Sequence, residues 1–108
     1  MKYLITESQL DRTIFRYLDN QDFIQIEKKG VIYFVNSEND SYCQIKYDIN
    51  DKWCMINYDL IDEVSSFFSL DEYDSKNLIE QWFEDTLQIK VSGSVAGVSH
   101  YGFQFDNN

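Results

Sequence analysis

Residues 23–58 decide the fold, because they contain four short apolar runs: FIQIE (23–27), VIYFV (31–35), YCQIKY (42–47) and WCMINY (53–58). The runs are rich in β-branched and aromatic residues, and short turn-like gaps separate them, which is typical of consecutive strands. We therefore predict a four-stranded antiparallel meander at the centre of the molecule, with the other segments covering it.

The first gap predicts how the first two strands pair. Residues 28–30 (Lys-Lys-Gly) fit a three-residue hairpin loop, whose last position is left-handed and therefore favours a glycine such as Gly30. This register places four apolar side chains of the two strands on the inward face of the sheet. They are Ile24, Ile26, Ile32 and Phe34.

The third gap, residues 48–51, fits a four-residue loop and predicts the inward side chains of the last two strands. These are Cys43, Ile45, Cys54 and Ile56, with Tyr47 and Tyr58 at the ends. No secretory signal is visible before Glu7, and no run approaches the ~18 apolar residues of a spanning helix. We therefore expect a cytoplasmic protein whose two cysteines are buried, reduced thiols rather than a disulfide or metal ligands.

The opposite face of the predicted sheet carries more large apolar groups than a solvated face should. Four of them form our candidate partner-binding face: Tyr33, Tyr42, Trp53 and Met55. A protein partner, a second copy of the chain in a homodimer, or the chain's own C-terminal segment would each explain them. Aromatic groups on a sheet also stack RNA bases, but Lys46 is the only basic residue predicted on this face, so we expect no direct nucleic-acid binding.

Three helices are predicted around the sheet. The first begins at the capping residue Thr6 and carries an apolar stripe through residues 10–18. The second spans residues 60–68 after a cap at Asp59.

The third predicted helix covers roughly residues 71–87, and three residues could cap its start: Ser69, Asp71 and Ser75. Trp82 lies in the middle of its apolar stripe, so we expect it to be a core anchor. After this helix, residues 88–91 resemble a short strand and residues 92–99 a loop, while residues 101–105 alternate like a strand that either pairs with a sheet edge or stays loose.

The predicted fold class is thus α+β, in the order α-ββββ-α-α-β(-β). At 108 residues the chain is long enough for one domain, residues 1–108, with a C-terminal segment at 92–108 that is loosely held. An apolar content of 44% and an aromatic content of 17% argue against disorder.

The formal net charge of −10 is concentrated in residues 59–85, which hold nine acidic residues and one basic residue, Lys76. Such a charge repels nucleic-acid phosphates and anionic membranes. We take the block as the solvated outside of two helices, with the alternative that it imitates nucleic-acid phosphates and occupies a DNA- or RNA-binding protein. The candidate acidic surface consists of Asp71, Glu72, Asp74, Glu80, Glu84 and Asp85.

The residues that carry out chemistry are few. The single histidine, His100, has no sequence cue that places it near either cysteine, so we expect no Cys–His nucleophile. Two cysteines and one histidine are too few for a zinc site, and residues 48–53 place Lys and Trp where a calcium loop needs an oxygen ligand and glycine. We therefore predict a non-enzymatic protein that needs no metal or other cofactor.

Two segments carry a resemblance to known proteins: MKYLITESQ (residues 1–9) and WFEDTL (residues 82–87). They resemble short accessory proteins of tailed phages, marine ones in particular. The resemblance implies a phage-encoded accessory protein acting in the cytoplasm of an infected bacterium. It implies no activity and assigns no functional residue, so protein–protein binding is our leading expectation and the acidic decoy the alternative.

Overall fold

The computed structural model describes residues 7–37 and 43–97. Within these ranges the chain is an α+β fold, in the element order predicted from the sequence. Its elements are α1 (Glu7–Asp19), β1 (Ile24–Lys28), β2 (Val31–Val35), β3 (Ile45–Asp48), β4 (Trp53–Asn57), α2 (Tyr58–Phe68), α3 (Glu72–Leu87) and β5 (Gly93–Gly97). The strands lie side by side in chain order. The predicted cap Thr6 and the predicted strand at 101–105 lie outside the described residues.

A two-residue turn joins β1 to β2, instead of the predicted three-residue loop. Lys29 and Gly30 both have positive φ, 51° and 79°, as in the type I′ turn whose twist matches that of the strands. Lys28 therefore pairs with Val31, and every later pair of the hairpin is shifted by one residue from the predicted register. The prediction was wrong because it gave the left-handed conformation to the glycine alone.

This one-residue shift moves the two isoleucines of β1 to the other side of the sheet. Ile24 pairs with Val35 and Ile26 pairs with Tyr33. They pack in a small cluster on the side opposite to the main core, and no described helix residue belongs to this cluster. We call this side the second face, and the side that packs against the helices the helix face.

β3 and β4 place their inward side chains as predicted. Ile45 pairs with Ile56 and Tyr47 pairs with Cys54, and all four are buried in the main core on the helix face. The carboxylate of Asp48 accepts two backbone hydrogen bonds from the loop that follows, which fixes the turn between the strands.

Two end residues depart from the predicted pattern: Tyr58 is the first residue of α2 and is exposed, and Cys43 lies on the second face. The chain bends at Gln44 before β3 begins, so the alternation of side chains does not extend back to Cys43. Cys43 packs with Val35 on the second face, whereas Cys54 lies in the main core. Both cysteines are buried, as predicted, but they lie on opposite sides of the sheet rather than sharing one.

α2 follows β4 without a loop. Its N-cap is Asn57 rather than the predicted Asp59, because Asn57 Oδ1 accepts a hydrogen bond from the Asp59 N–H at 2.8 Å. The Asn57 amide also donates to the carbonyl of Cys43, which ties the start of the helix to the neighbouring strand. The buried residues of α2 are Leu60, Ile61 and Val64.

α3 provides the aromatic part of the main core. The rings of Trp82 and Phe83 contact Phe34 of β2 at centroid distances of 5.6 and 4.9 Å. The indole N–H of Trp82 donates to the carboxylate of Asp19, at the end of α1, at 2.9 Å. Only 4% of Trp82 is exposed, so the prediction that it anchors the core is confirmed.

The strand after α3 lies where a loop was predicted. Residues 88–91 are not a strand, since Gln88 has a φ of 55° and ends α3. Residues 93–97 (Gly-Ser-Val-Ala-Gly) form β5 instead and pair in parallel with β4, with Trp53 opposite Gly93. The sheet is therefore mixed rather than purely antiparallel. Only Val95 in this strand has high strand propensity, so pairing with a central strand outweighs the local sequence.

Candidate protein-binding surface

The second face brings together three of the four residues that were predicted to bind a partner. Tyr33 and Met55 lie on either side of Lys46, because each of them pairs with Lys46 across the sheet. Trp53 lies two residues before Met55 on β4 and therefore on the same side. Tyr42, the fourth residue, lies outside the described residues.

Trp53 is the most exposed member of this group. Its side chain is 48% exposed, which confirms the expectation that it is partly accessible. Tyr33 and Met55 are half-buried, because they pack against the cluster formed by Val35 and Cys43. The second face thus has a buried part toward β1 and β2 and an exposed aromatic part on β4.

The exposed part of this face extends onto β5. The Trp53 indole lies over Gly93, where an added Cβ would come within 2.9 Å of the ring, so a glycine at this position allows the ring to approach the neighbouring strand. Val95 pairs with Met55 and is 45% exposed. Val95 was not predicted as a surface residue of the sheet, because its segment was predicted to be a loop.

Two further apolar residues of the second face were missed from the sequence. Ile24 and Ile26 were predicted to point inward, but the type I′ turn places them beside Tyr33 on the second face. Their faces depend on the turn at Lys29-Gly30, because a two-residue turn gives this register and a three-residue loop gives the opposite one.

Burial keeps the thiol and phenol groups near this face in their neutral forms. It raises the pKa of the Cys43 thiol to about 12, an effect that the nearby Lys46 partly offsets. Burial, together with the proximity of Cys43, also raises the pKa of Tyr33. On the other side of the sheet, burial raises the pKa of the Cys54 thiol. A thiol with a raised pKa is a poor nucleophile and a poor metal ligand at neutral pH.

The six candidate acidic residues do not form a uniform surface. Asp71 is the N-cap of α3, and its carboxylate accepts a hydrogen bond from the Asp74 N–H at 2.7 Å. Glu84 Oε2 accepts a hydrogen bond from the Val91 N–H at 2.8 Å, which holds the segment between α3 and β5. These two carboxylates therefore serve the fold. Of the other four, Glu80 is half-buried, and the exposed ones are Glu72, Asp74 and Asp85.

Comparisons with other proteins provide no family for this chain. It matches no protein-family model, no curated protein and no solved structure. Within residues 7–37 and 43–97, no group of metal-ligating side chains is positioned to hold an ion, and no helix is long and apolar enough to cross a membrane.

Proposed function

We propose that this chain is a non-enzymatic, protein-binding accessory protein of the phage type, which contacts its partner through the second face around Trp53. The observation that carries the proposal is the position of Trp53, which is 48% exposed at the start of β4, on the same face as the exposed Val95 of the neighbouring strand. Exposed tryptophans on a rigid surface are typical energetic centres of protein interfaces.

The surroundings of Trp53 support the same proposal. Tyr33 and Met55 are held by strand pairing and by the buried Val35 and Cys43, so they would lose little conformational freedom on binding. Lys46 lies between them and adds a polar group that could orient a partner. The phage origin and the site of action, the cytoplasm of an infected bacterium, rest on the resemblance of residues 1–9 and 82–87.

Capture from a bacterial lysate, followed by mass spectrometry, tests this proposal. We expect the natural chain to retain a protein that Trp53→Ala fails to retain. Phe67→Ala is the matched control, because Phe67 is also an exposed aromatic residue but lies at the end of α2. Equal retention by the natural chain and Trp53→Ala would contradict binding through the second face.

The acidic decoy is the second candidate function. It is favoured by the exposed carboxylates of Glu72, Asp74 and Asp85 on α3, beside a single basic residue, Lys76, in the whole of residues 59–85. Lys76 is half-buried, and its Nζ donates to Ser94 Oγ at 2.9 Å, so its charge is turned toward the sheet.

The salt dependence of the captured complex separates the two candidates. Binding by a phosphate mimic weakens steeply as salt rises, since it depends on charge, whereas binding through apolar and aromatic groups is salt-tolerant. The triple variant Glu72→Gln, Asp74→Asn, Asp85→Asn removes exposed charge without touching the cap Asp71 or the anchor Glu84. Loss of binding by this folded variant, together with a steep salt dependence, would favour the decoy.

A further inference from the structure

β5 forms one edge of the sheet and pairs only with β4 within the part of the chain that the structure describes. Exposed large apolar side chains lie around this strand on both sides of the sheet. Val95 and Trp53 lie on the second face, while Tyr58 and Tyr73 line a pocket with Ala96 on the helix face. Exposed apolar groups along a sheet edge are typical of a surface that receives another strand.

The backbone of β5 presents hydrogen-bonding groups at this edge. The N–H of Asn57 donates to the carbonyl of Gln44 at 2.8 Å, so Asn57 directs its backbone groups toward β3. Alternate residues of a strand direct their N–H and C=O groups to opposite sides, so Cys54 and Ile56 of β4 point toward β5. In a parallel pair they bond to the residues before and after their partners Ser94 and Ala96. Ser94 and Ala96 are therefore the residues of β5 whose backbone groups point to the edge.

We propose that a second copy of this chain binds at this edge, with its β5 antiparallel to the first, so that two sheets join across a twofold axis at Val95. The strand sequence GSVAG (Gly93–Gly97) is nearly palindromic in side-chain size. Antiparallel pairing places Gly93 opposite Gly97 of the second copy, Ser94 opposite Ala96, and Val95 opposite Val95. Small residues face small residues on both sides of the Val95 pair, and about four backbone hydrogen bonds form between Ser94 of each copy and Ala96 of the other.

The twofold arrangement favours a second copy over a foreign strand, because the same edge of each chain supplies the hydrogen-bonding partners of the other. No edge is then left open for a third copy. Apolar contacts add to the hydrogen bonds on the second face, where the Val95 side chains of the two copies meet. Trp53, which lies over Gly93, extends this apolar contact on both sides of the axis.

Charge on the helix face is compatible with this pairing. β5 carries no charged residue, so the net charge of −10 on each copy is not concentrated at the contact. The partners of Lys76 Nζ are neutral groups of Ser94 and Asn77. Lys76 contacts Ser94, and Glu72 lies beside Ala96. In the dimer Ser94 of one copy faces Ala96 of the other. Lys76 of each copy and Glu72 of the other therefore lie on the same side of the joined sheet.

Sedimentation velocity of the purified chain, from micromolar to near-millimolar concentration, tests the proposal without any other partner. We expect a monomer–dimer equilibrium that Val95→Lys weakens by about tenfold or more, because two lysines would face each other at the axis. Ile49→Lys is the matched control: it makes the same change at an exposed apolar residue in the loop between β3 and β4, and it should leave the dimer unchanged.

A second variant separates loss of pairing from loss of folding. Ala96→Pro removes an N–H that points to the edge, a position where a strand tolerates proline, so the variant should fold as a monomer. Hydrogen exchange of the Ala96 amide in the natural chain should slow as concentration rises. A natural chain that stays monomeric throughout, or a dimer whose Ala96 amide exchanges at an unchanged rate, would overturn the proposal.

Discussion

Trp82 and Trp53 lie on opposite sides of the same sheet and show what each side does. Trp82, 4% exposed, contacts the rings of Phe23 and Phe34 and donates a hydrogen bond to Asp19. Trp53, 48% exposed, lies with its indole over Gly93. The helix face therefore uses its tryptophan to hold three elements together, while the second face presents its tryptophan to the surroundings. The packed tryptophan and the exposed one are separated by the thickness of one sheet.

Replacing Trp82 by alanine should produce the largest loss of stability. The change removes a fully packed ring from the core, and such truncations cost about 3–5 kcal/mol, a large part of the ~5–15 kcal/mol that stabilises a small domain. Urea denaturation followed by circular dichroism measures the effect. Trp82→Phe should retain most of the packing and cost less, since it mainly loses the hydrogen bond to Asp19.

Replacing Trp53 by alanine tests the other side of the comparison. We expect a loss of about 1–2 kcal/mol, because roughly half of the residue is already in contact with water. The variant should fold and lose affinity for its partner. If Trp53→Ala melts at as low a temperature as Trp82→Ala, the second face is a second core and not a binding surface.

Alkaline pH should weaken the second face through Cys43. Burial raises the pKa of this thiol from 9.0 to about 12, so the folded chain keeps the proton at pH values where the unfolded chain has lost it. The free energy of unfolding therefore falls as pH rises above 9 toward 12. Between pH 8 and pH 10 we expect Cys43 to contribute roughly 1 kcal/mol of this fall. Urea denaturation at both pH values should show a smaller fall for Cys43→Ala, and an equal fall would contradict the assignment.

The turn between β1 and β2 should give the smallest effects, with opposite signs at its two positions. Lys29→Asn should stabilise the chain by about 0.5 kcal/mol, since asparagine accepts the left-handed conformation more readily than lysine. Gly30→Ala should destabilise it by about 1 kcal/mol, because φ is 79° there, although no atom lies near the added Cβ. Thermal melts of the two variants check the signs. Stabilisation by Gly30→Ala would argue for a different turn, and so for a different set of residues on the second face.

The sequence predicted the helix face well and the second face only in part. Alternation along β3 and β4 and helical spacing around Trp82 are local patterns, so the buried positions of Ile45, Ile56 and Trp82 followed from them. The faces of Ile24 and Ile26 depended on one turn residue, and this residue, Lys29, gives no local sign of its left-handed backbone.

β5 could not be predicted for a different reason. Gly93, Ser94, Ala96 and Gly97 have weak strand propensity, and they form a strand only because the edge of β4 offers them hydrogen-bonding partners. Such pairing depends on the packing of α2 and α3, which brings a distant segment to that edge. The surface position of Val95 therefore depends on the tertiary structure and could not be predicted from the local sequence.

The parallel pairing of β4 with β5 has a consequence for the time course of folding. The hairpins from β1 to β4 join neighbouring segments, whereas Trp53 and Gly93 lie about forty positions apart, with two helices between them. Closing the longer loop costs more chain entropy, so the meander can form early and β5 docks after α2 and α3 have formed. During synthesis on a ribosome, β4 therefore has an unfilled edge until residues 93–97 emerge. Pulse-labelling hydrogen exchange during refolding should show the amides of β5 gaining protection last.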